Sequence, residues 1–111
     1  MIKRSKLALI SLTCLLCFAL TPNTKQQPKL IVYGSDACHY CIDTKTFLKQ
    51  NNITFIYYDV DLNKDKEQEM LLKLNRAGIS IDNFQLPVVD KSEVILTNGS
   101  NFIAFLKKLL E

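Results

Sequence analysis

Two cysteines in a Cys-x-x-Cys spacing, Cys38 and Cys41, stand at the junction of two unlike patterns. Before them comes the apolar run Leu30-Ile31-Val32-Tyr33, then the short stretch Ser35-Asp36-Ala37. After them, Tyr40, Cys41, Thr44, Phe47 and Leu48 fall on one helical face. A strand, a short loop and two cysteines opening a helix form the context in which this motif reads as a redox pair. The first turn of a helix carries unpaired N–H groups and the positive end of the macrodipole, and both stabilise a thiolate. Cys38 is expected there, exposed. Cys41 lies on the same side of the helix, near enough to close a disulfide but turned inward. One sulfur attacks and the other resolves.

His39 is the expected tuning residue. A cationic imidazole beside a thiolate makes the thiol more acidic and the disulfide more oxidising. Asp36 opposes this, since a carboxylate disfavours a second negative charge, although it can point to solvent. Three other readings stay open at this point. Structural zinc needs four ligands, yet Cys14 and Cys17 lie in a different kind of segment and His39 is the only histidine, so no metal site is assigned. A soft metal such as copper can be held by Cys38 and Cys41, with or without His39. The pair can also be an unreactive disulfide or dithiol in an interaction domain, although so small a loop stabilises little.

A chain of 111 residues, 48% hydrophobic and 23% charged, fits one domain with a packed core. The formal charge of +3 invites a nucleic-acid partner until its location is considered. Lys3, Arg4 and Lys6 carry the excess; without them basic and acidic residues balance, and no basic tract remains for nucleic acid. These three charges precede an apolar stretch from Leu7 to Leu20, with small residues near Ala19 and Thr21. The pattern predicts a secretory signal over residues 1–20, with an uncleaved anchor in the membrane as the alternative. The stretch is short for a membrane span, which needs roughly 20 apolar residues. Cys14 and Cys17 fall inside it, where cysteine behaves as a small hydrophobe. Such a signal implies a periplasmic or secreted protein in an oxidising compartment, with Cys38 and Cys41 the only cysteines of its mature domain.

Residues 21–28, with two prolines, read as a linker to a domain over 29–111. Lys29 to Tyr33 predicts a first strand buried on both faces, and a helix follows from Cys38 to Asn51. Ile53 to Val60 alternates as a second strand, with Ile53, Phe55 and Tyr57 on one side. A helical crossover between the two implies a right-handed parallel pair. Asp61-Leu62-Asn63 caps a second helix that reaches Ala77 and stops at Gly78. Ile79 to Leu86 reads as a loop and Pro87-Val88-Val89 as a strand. Asp90-Lys91-Ser92 reads as a turn, and Glu93 to Leu96 as the returning strand. Asn98-Gly99-Ser100 is expected to cap a last helix with Phe102, Phe105, Leu106 and Leu109 on one face. The order β-α-β-α-β-β-α, with Cys-x-x-Cys at the first strand-to-helix junction, is an α/β class of minimal thioredoxin-like fold around a mixed four-stranded sheet.

In order and spacing, Tyr33, Cys38-His39-Tyr40-Cys41, Lys45, Phe47-Leu48, Asn52-Ile53-Thr54-Phe55, Asp59-Val60-Asp61 and Leu86-Pro87-Val88-Val89 resemble the glutaredoxins, over most of Lys29 to Leu110. The resemblance implies a thiol–disulfide oxidoreductase acting on protein thiols and disulfides, with glutathione as a candidate co-substrate and no tightly bound cofactor; with no segment of the kind an isomerase uses to dimerise, a monomer is expected. It implies a cis bond before Pro87, facing the cysteines, and a Leu86 backbone that pairs an incoming thiol peptide like an added strand. Tyr40 would shape the groove beside Cys38. N–H groups of Ser100 and Asn101 would hold a glutathione carboxylate, with simple helix capping as the plainer role for both. Lys29 and Lys45 are candidates for positive charge near the site. The chain departs from the family pattern in His39, where proline is usual, and in Gln85-Leu86-Pro87, where Thr-Val-Pro is usual. It departs again in Asn98-Gly99-Ser100-Asn101, where a Gly-Gly pair and an acidic residue are common.

Overall fold

Leu30-Ile31-Val32-Tyr33-Gly34 has no polar side to turn toward water, and it forms β1 (Leu30–Gly34), buried along its whole length. A strand buried on both faces needs neighbours on both edges and a layer on each side. Its edges are taken by β2 (Ile56–Asp59), parallel, and β3 (Gln85–Lys91), antiparallel. Antiparallel β4 (Val94–Asn98) completes a mixed sheet of order β2-β1-β3-β4. The computed structural model describes residues 29–111; the expected signal or anchor, the expected linker, Cys14 and Cys17 lie outside the described residues.

Three helices cover this sheet: α1 (His39–Gln50), α2 (Lys64–Arg76) and α3 (Phe102–Leu110). Alternation along the strands divides the core in two. Leu30, Val32 and Val89 pack with Leu48 of α1 and with Phe105, Leu106 and Leu109 of α3. Ile31, Tyr33 and Val88 pack on the other face with Met70 and Leu74 of α2. The expected element order and both helical faces are therefore present, and the face of Ile53, Phe55 and Tyr57 packs against the first cluster.

The element ends differ from expectation for identifiable reasons. β2 begins at Ile56, because Asn52 takes a left-handed φ of 56° and the Ile53 N–H bonds back to the Leu48 carbonyl. Pairing with β1 starts only at Ile31↔Ile56. The hairpin turn is Ser92-Glu93, both at positive φ (48° and 76°), and β3 runs on through Asp90 and Lys91. Two central residues in the left-handed region make the primed turn that suits the strand twist. Asp90 helps to set it by accepting the Glu93 N–H at 2.7 Å. Asn63 caps α2 through the Lys66 N–H, and Gly78 (φ 75°) follows its C-cap. The α3 cap is Asn101, whose side chain accepts the Ala104 N–H at 3.0 Å, one residue beyond the expected stretch.

Candidate functional site

The end of β1 carries the chain into the first turn of α1, and Cys38 is the N-cap of that helix. Its carbonyl accepts the N–H groups of Cys41 and Ile42, so the turn that fixes one cysteine is built on the backbone of the other. Cys38 is half-buried and Cys41 fully buried, both as free thiols. Gly34 makes this close packing feasible. A Cβ at that position would meet Cys41 Cβ, Cys41 Sγ and Tyr57 Cε1, each at 3.0 Å.

The sulfurs face different surroundings. Burial, with the hydrogen bond to Cys38 second, pushes the Cys41 thiol up to about 12 from an ordinary 9.0. Cys41 therefore stays protonated at neutral pH until its proton has somewhere to go. As pH rises, the unfolded chain loses this proton before the folded one does. Stability of the reduced protein is thus fully present below about pH 9 and is lost as pH climbs toward about 12. Tyr33 and Tyr57 add to the decline, their phenols pushed up by burial and by Glu69 and Asp36 respectively. A Cys41→Ala variant is expected to lack the cysteine component. Urea unfolding of both reduced proteins between pH 8 and pH 11 isolates the difference, and parallel curves would refute the assignment.

Across from the motif runs the start of β3. The Leu86–Pro87 bond is cis, Pro87 is fully buried, and the Cys38 Sγ lies 3.9 Å from the Leu86 carbonyl oxygen. Asn98 closes the far side: its Nδ2 donates to the same carbonyl at 3.4 Å. Asn98 is buried and its Oδ1 has no partner, a state that costs on the order of 1–3 kcal/mol.

Charged and aromatic groups complete the surroundings. Asp36 is exposed, yet it accepts from Lys45 Nζ at 2.9 Å and from the Tyr57 hydroxyl at 3.1 Å. Lys45, with Tyr57 second, holds the Asp36 carboxyl below its usual range. Lys45 also lies 3.9 Å from the centre of the Tyr57 ring, so it is clamped in place. Lys29 is not part of this group; it lines a cleft of about 470 Å³ with Lys73 and Arg76. His39 is exposed, its ring 4.2 Å from that of Tyr40. Tyr40 is 38% exposed and packs at 4.7 Å against Phe102, which brings the start of α3 beside the motif.

The structure thus joins Cys38, Cys41, Leu86 and Pro87 in one site, with Tyr40 and His39 along its rim. Ser100 and Asn101 are both exposed, and the Asn101 side chain is engaged in capping α3. Lys45, expected to bring positive charge near the site, does lie beside the motif, whereas Gly34, Tyr57, Phe102 and Asn98 were not assigned to the site from sequence. None carries a local pattern that would have marked it, because each matters through a residue distant in the chain.

A buried thiol beneath a half-buried one, at a helix start opposite a cis-proline segment, defines a thioredoxin-like dithiol domain. The glutaredoxin family model matches residues 30–89, and the chain belongs to the glutaredoxin family. Glutaredoxin 1 from Francisella tularensis, solved in complex with cacodylate, superposes with a TM-score of 0.57 at 18% identity, covering 76% of this chain and 98% of that one. A glutaredoxin from Archaeoglobus fulgidus gives a TM-score of 0.56 at 21% identity, covering 81% and 99%. Both show the shared fold. No curated protein sequence matches the chain. Family and fold together support a thiol–disulfide oxidoreductase-like function.

Proposed function

We propose that this chain is an extracytoplasmic thiol–disulfide oxidoreductase working through the Cys38-His39-Tyr40-Cys41 dithiol. The observation that carries the reading is the division of labour between the sulfurs. Cys38 stands half-buried against the Leu86 carbonyl, while Cys41 is sealed beneath it as a thiol. In the reducing direction, the Cys38 thiolate attacks a substrate disulfide R–S–S–R′. A Cys38–S–S–R bond forms and R′S⁻ leaves with the electron pair of the broken bond. Cys41 then attacks the Cys38 sulfur. The Cys38–Cys41 disulfide forms and RS⁻ departs, taking up the proton that Cys41 releases. The substrate disulfide is reduced by two electrons and the protein dithiol is oxidised by two. The oxidising direction is the reverse.

Protein thiols and disulfides are the substrates this reading favours, with glutathione as the small thiol that recharges or discharges the pair. Tyr40 and the Leu86-Pro87 backbone border the space an incoming peptide must enter. Ser100 and Asn101, at the start of α3, can offer backbone N–H groups to a carboxylate there. The basic-then-apolar pattern of residues 1–20 supports export or an outward-facing anchor, and the balanced charge of the remainder supports a domain without a nucleic-acid partner, read as a monomer. Among the described residues no cluster of three or more His, Cys, Asp or Glu side chains is placed to hold a metal ion. A metal-carrier reading rests on the two sulfurs alone.

The test is the reduction potential of the Cys38–Cys41 pair, by equilibration of the domain against glutathione. Reversible exchange is expected. A value of roughly −200 mV or lower identifies a reductant, and one near roughly −120 mV a disulfide donor whose reduced form His39 stabilises. Tight stoichiometric Cu(I) uptake with no reversible exchange would overturn the reading.

A further inference from the structure

Where β3 approaches the cysteines, its ladder slips. Gln85 pairs with Asn98 and Val88 with Thr97, so Leu86 and Pro87 have no residue opposite them on β4. The β1 ladder ends at Tyr33↔Val88 and leaves the same two residues without a partner there. The Leu86 carbonyl therefore stands outside both ladders, at the point where the site most needs a fixed backbone. A side chain supplies what the ladders do not: Asn98 Nδ2 donates to that carbonyl at 3.4 Å from one side, and the Cys38 thiol meets it at 3.9 Å from the other.

Asn98 is an unusual residue to find there. It is 3% exposed at the end of β4, and its Oδ1 is the one buried side-chain polar atom without a partner among the described residues. An apolar side chain of similar size would fill the space without an orphaned acceptor, so packing alone does not account for the amide. What the amide adds is its N–H, directed at Leu86. We infer that Asn98 is a positioning residue for substrate: it fixes the Leu86 carbonyl in the orientation that pairs with the backbone of a cysteine-bearing peptide. This rests on the oxidoreductase reading above and adds a specificity to it. Extended peptides are favoured over small disulfides that have no backbone to pair.

The test is Asn98→Leu, which keeps most of the bulk and removes the donor. Two probes separate positioning from chemistry. One is an end-capped hexapeptide with a central cysteine in mixed disulfide with 2-nitro-5-thiobenzoate; the other is the symmetric aryl disulfide of that same thiol. Both release the coloured thiol when Cys38 attacks, so single-turnover rates are read directly. For the peptide, the half-saturating concentration is expected to rise roughly fivefold to tenfold, the effect of one lost hydrogen bond. The limiting rate and the rate with the aryl disulfide are expected to hold, and the thermal midpoint is expected not to fall. Should the leucine not fit, Asn98→Ala keeps the test, with folding checked by circular dichroism. An unchanged half-saturating concentration in a folded variant overturns the inference. So does an equal fall with both probes, which would make Asn98 a general support of the cysteines. Wild-type protein that exchanges with neither probe overturns the oxidoreductase reading itself, a result distinct from either of these.

Discussion

Cys38→Ser is expected to lose disulfide exchange altogether, while Cys41→Ser is expected to start the reaction and fail to finish it. The two outcomes follow from where the sulfurs lie. Cys38 is the half-buried member, at the N-cap of α1, and a serine hydroxyl in its place is not ionised at neutral pH. Without a thiolate no substrate disulfide is attacked. Cys41 is fully buried behind it, under Gly34 and Tyr57, so it cannot meet a substrate first. Removing it leaves the first attack intact and blocks resolution, so Cys38–substrate disulfides accumulate. Non-reducing electrophoresis with mass spectrometry of trapped species reads both results. Mixed disulfides on Cys41 in a Cys38→Ser background would invert the assignment. Retained turnover in Cys38→Ser would end it.

The unit built from β1, the cysteine motif and α1 was legible because each of its signals is local. A continuous apolar run, a three-residue cysteine spacing and a 3.6-residue period lie within about twenty consecutive positions. The inward turn of Cys41 followed from helix geometry alone, as did the α3 face of Phe105, Leu106 and Leu109. What the sequence hid depends on partners far along the chain. Asp90 looks like a turn residue, as aspartate often is. It sits inside β3 because Lys73 of α2 neutralises it from across the sheet face. Lys45 is a candidate for charge near the site on sequence, but the partners that hold it there, Tyr57 and Asp36, carry no local sign of that role. Asn98 looks like a cap, yet its amide turns to Leu86 while Asn101 caps the helix. For Asp90 and Asn98 the sequence suggests the commonest local role of a polar side chain, and tertiary structure assigns another.

Lys73 carries the largest stability effect expected outside the hydrophobic core. Its ammonium bridges α2 to the sheet, donating to Asp90 Oδ2 at 2.6 Å and to the Tyr33 hydroxyl at 2.7 Å. The Tyr33 hydroxyl in turn donates to Glu69, and Tyr33 itself is fully buried. The Asp90 side chain is only 10% exposed and Lys73 is 24% exposed, so this pair differs in kind from the Lys45–Asp36 pair, where Asp36 is 63% exposed. Exposed pairs contribute about 0–1 kcal/mol, because water and salt screen them. Removing one partner of a buried pair costs roughly 3–5 kcal/mol, because the other charge is stranded away from water. Lys73→Met is therefore expected to destabilise the domain near the lower end of that range, since the ammonium itself keeps some contact with solvent. The damage comes from Asp90, so neutralising that residue should undo part of it. Asn at position 90 can still accept the Glu93 N–H that closes the Ser92-Glu93 turn. The double variant Lys73→Met with Asp90→Asn is accordingly expected to be more stable than Lys73→Met alone. Urea denaturation of the wild type, the two single variants and the pair gives the coupling directly. If the double variant is no more stable than Lys73→Met, stranded charge is not the cause, and Lys73 acts by covering Tyr33 instead.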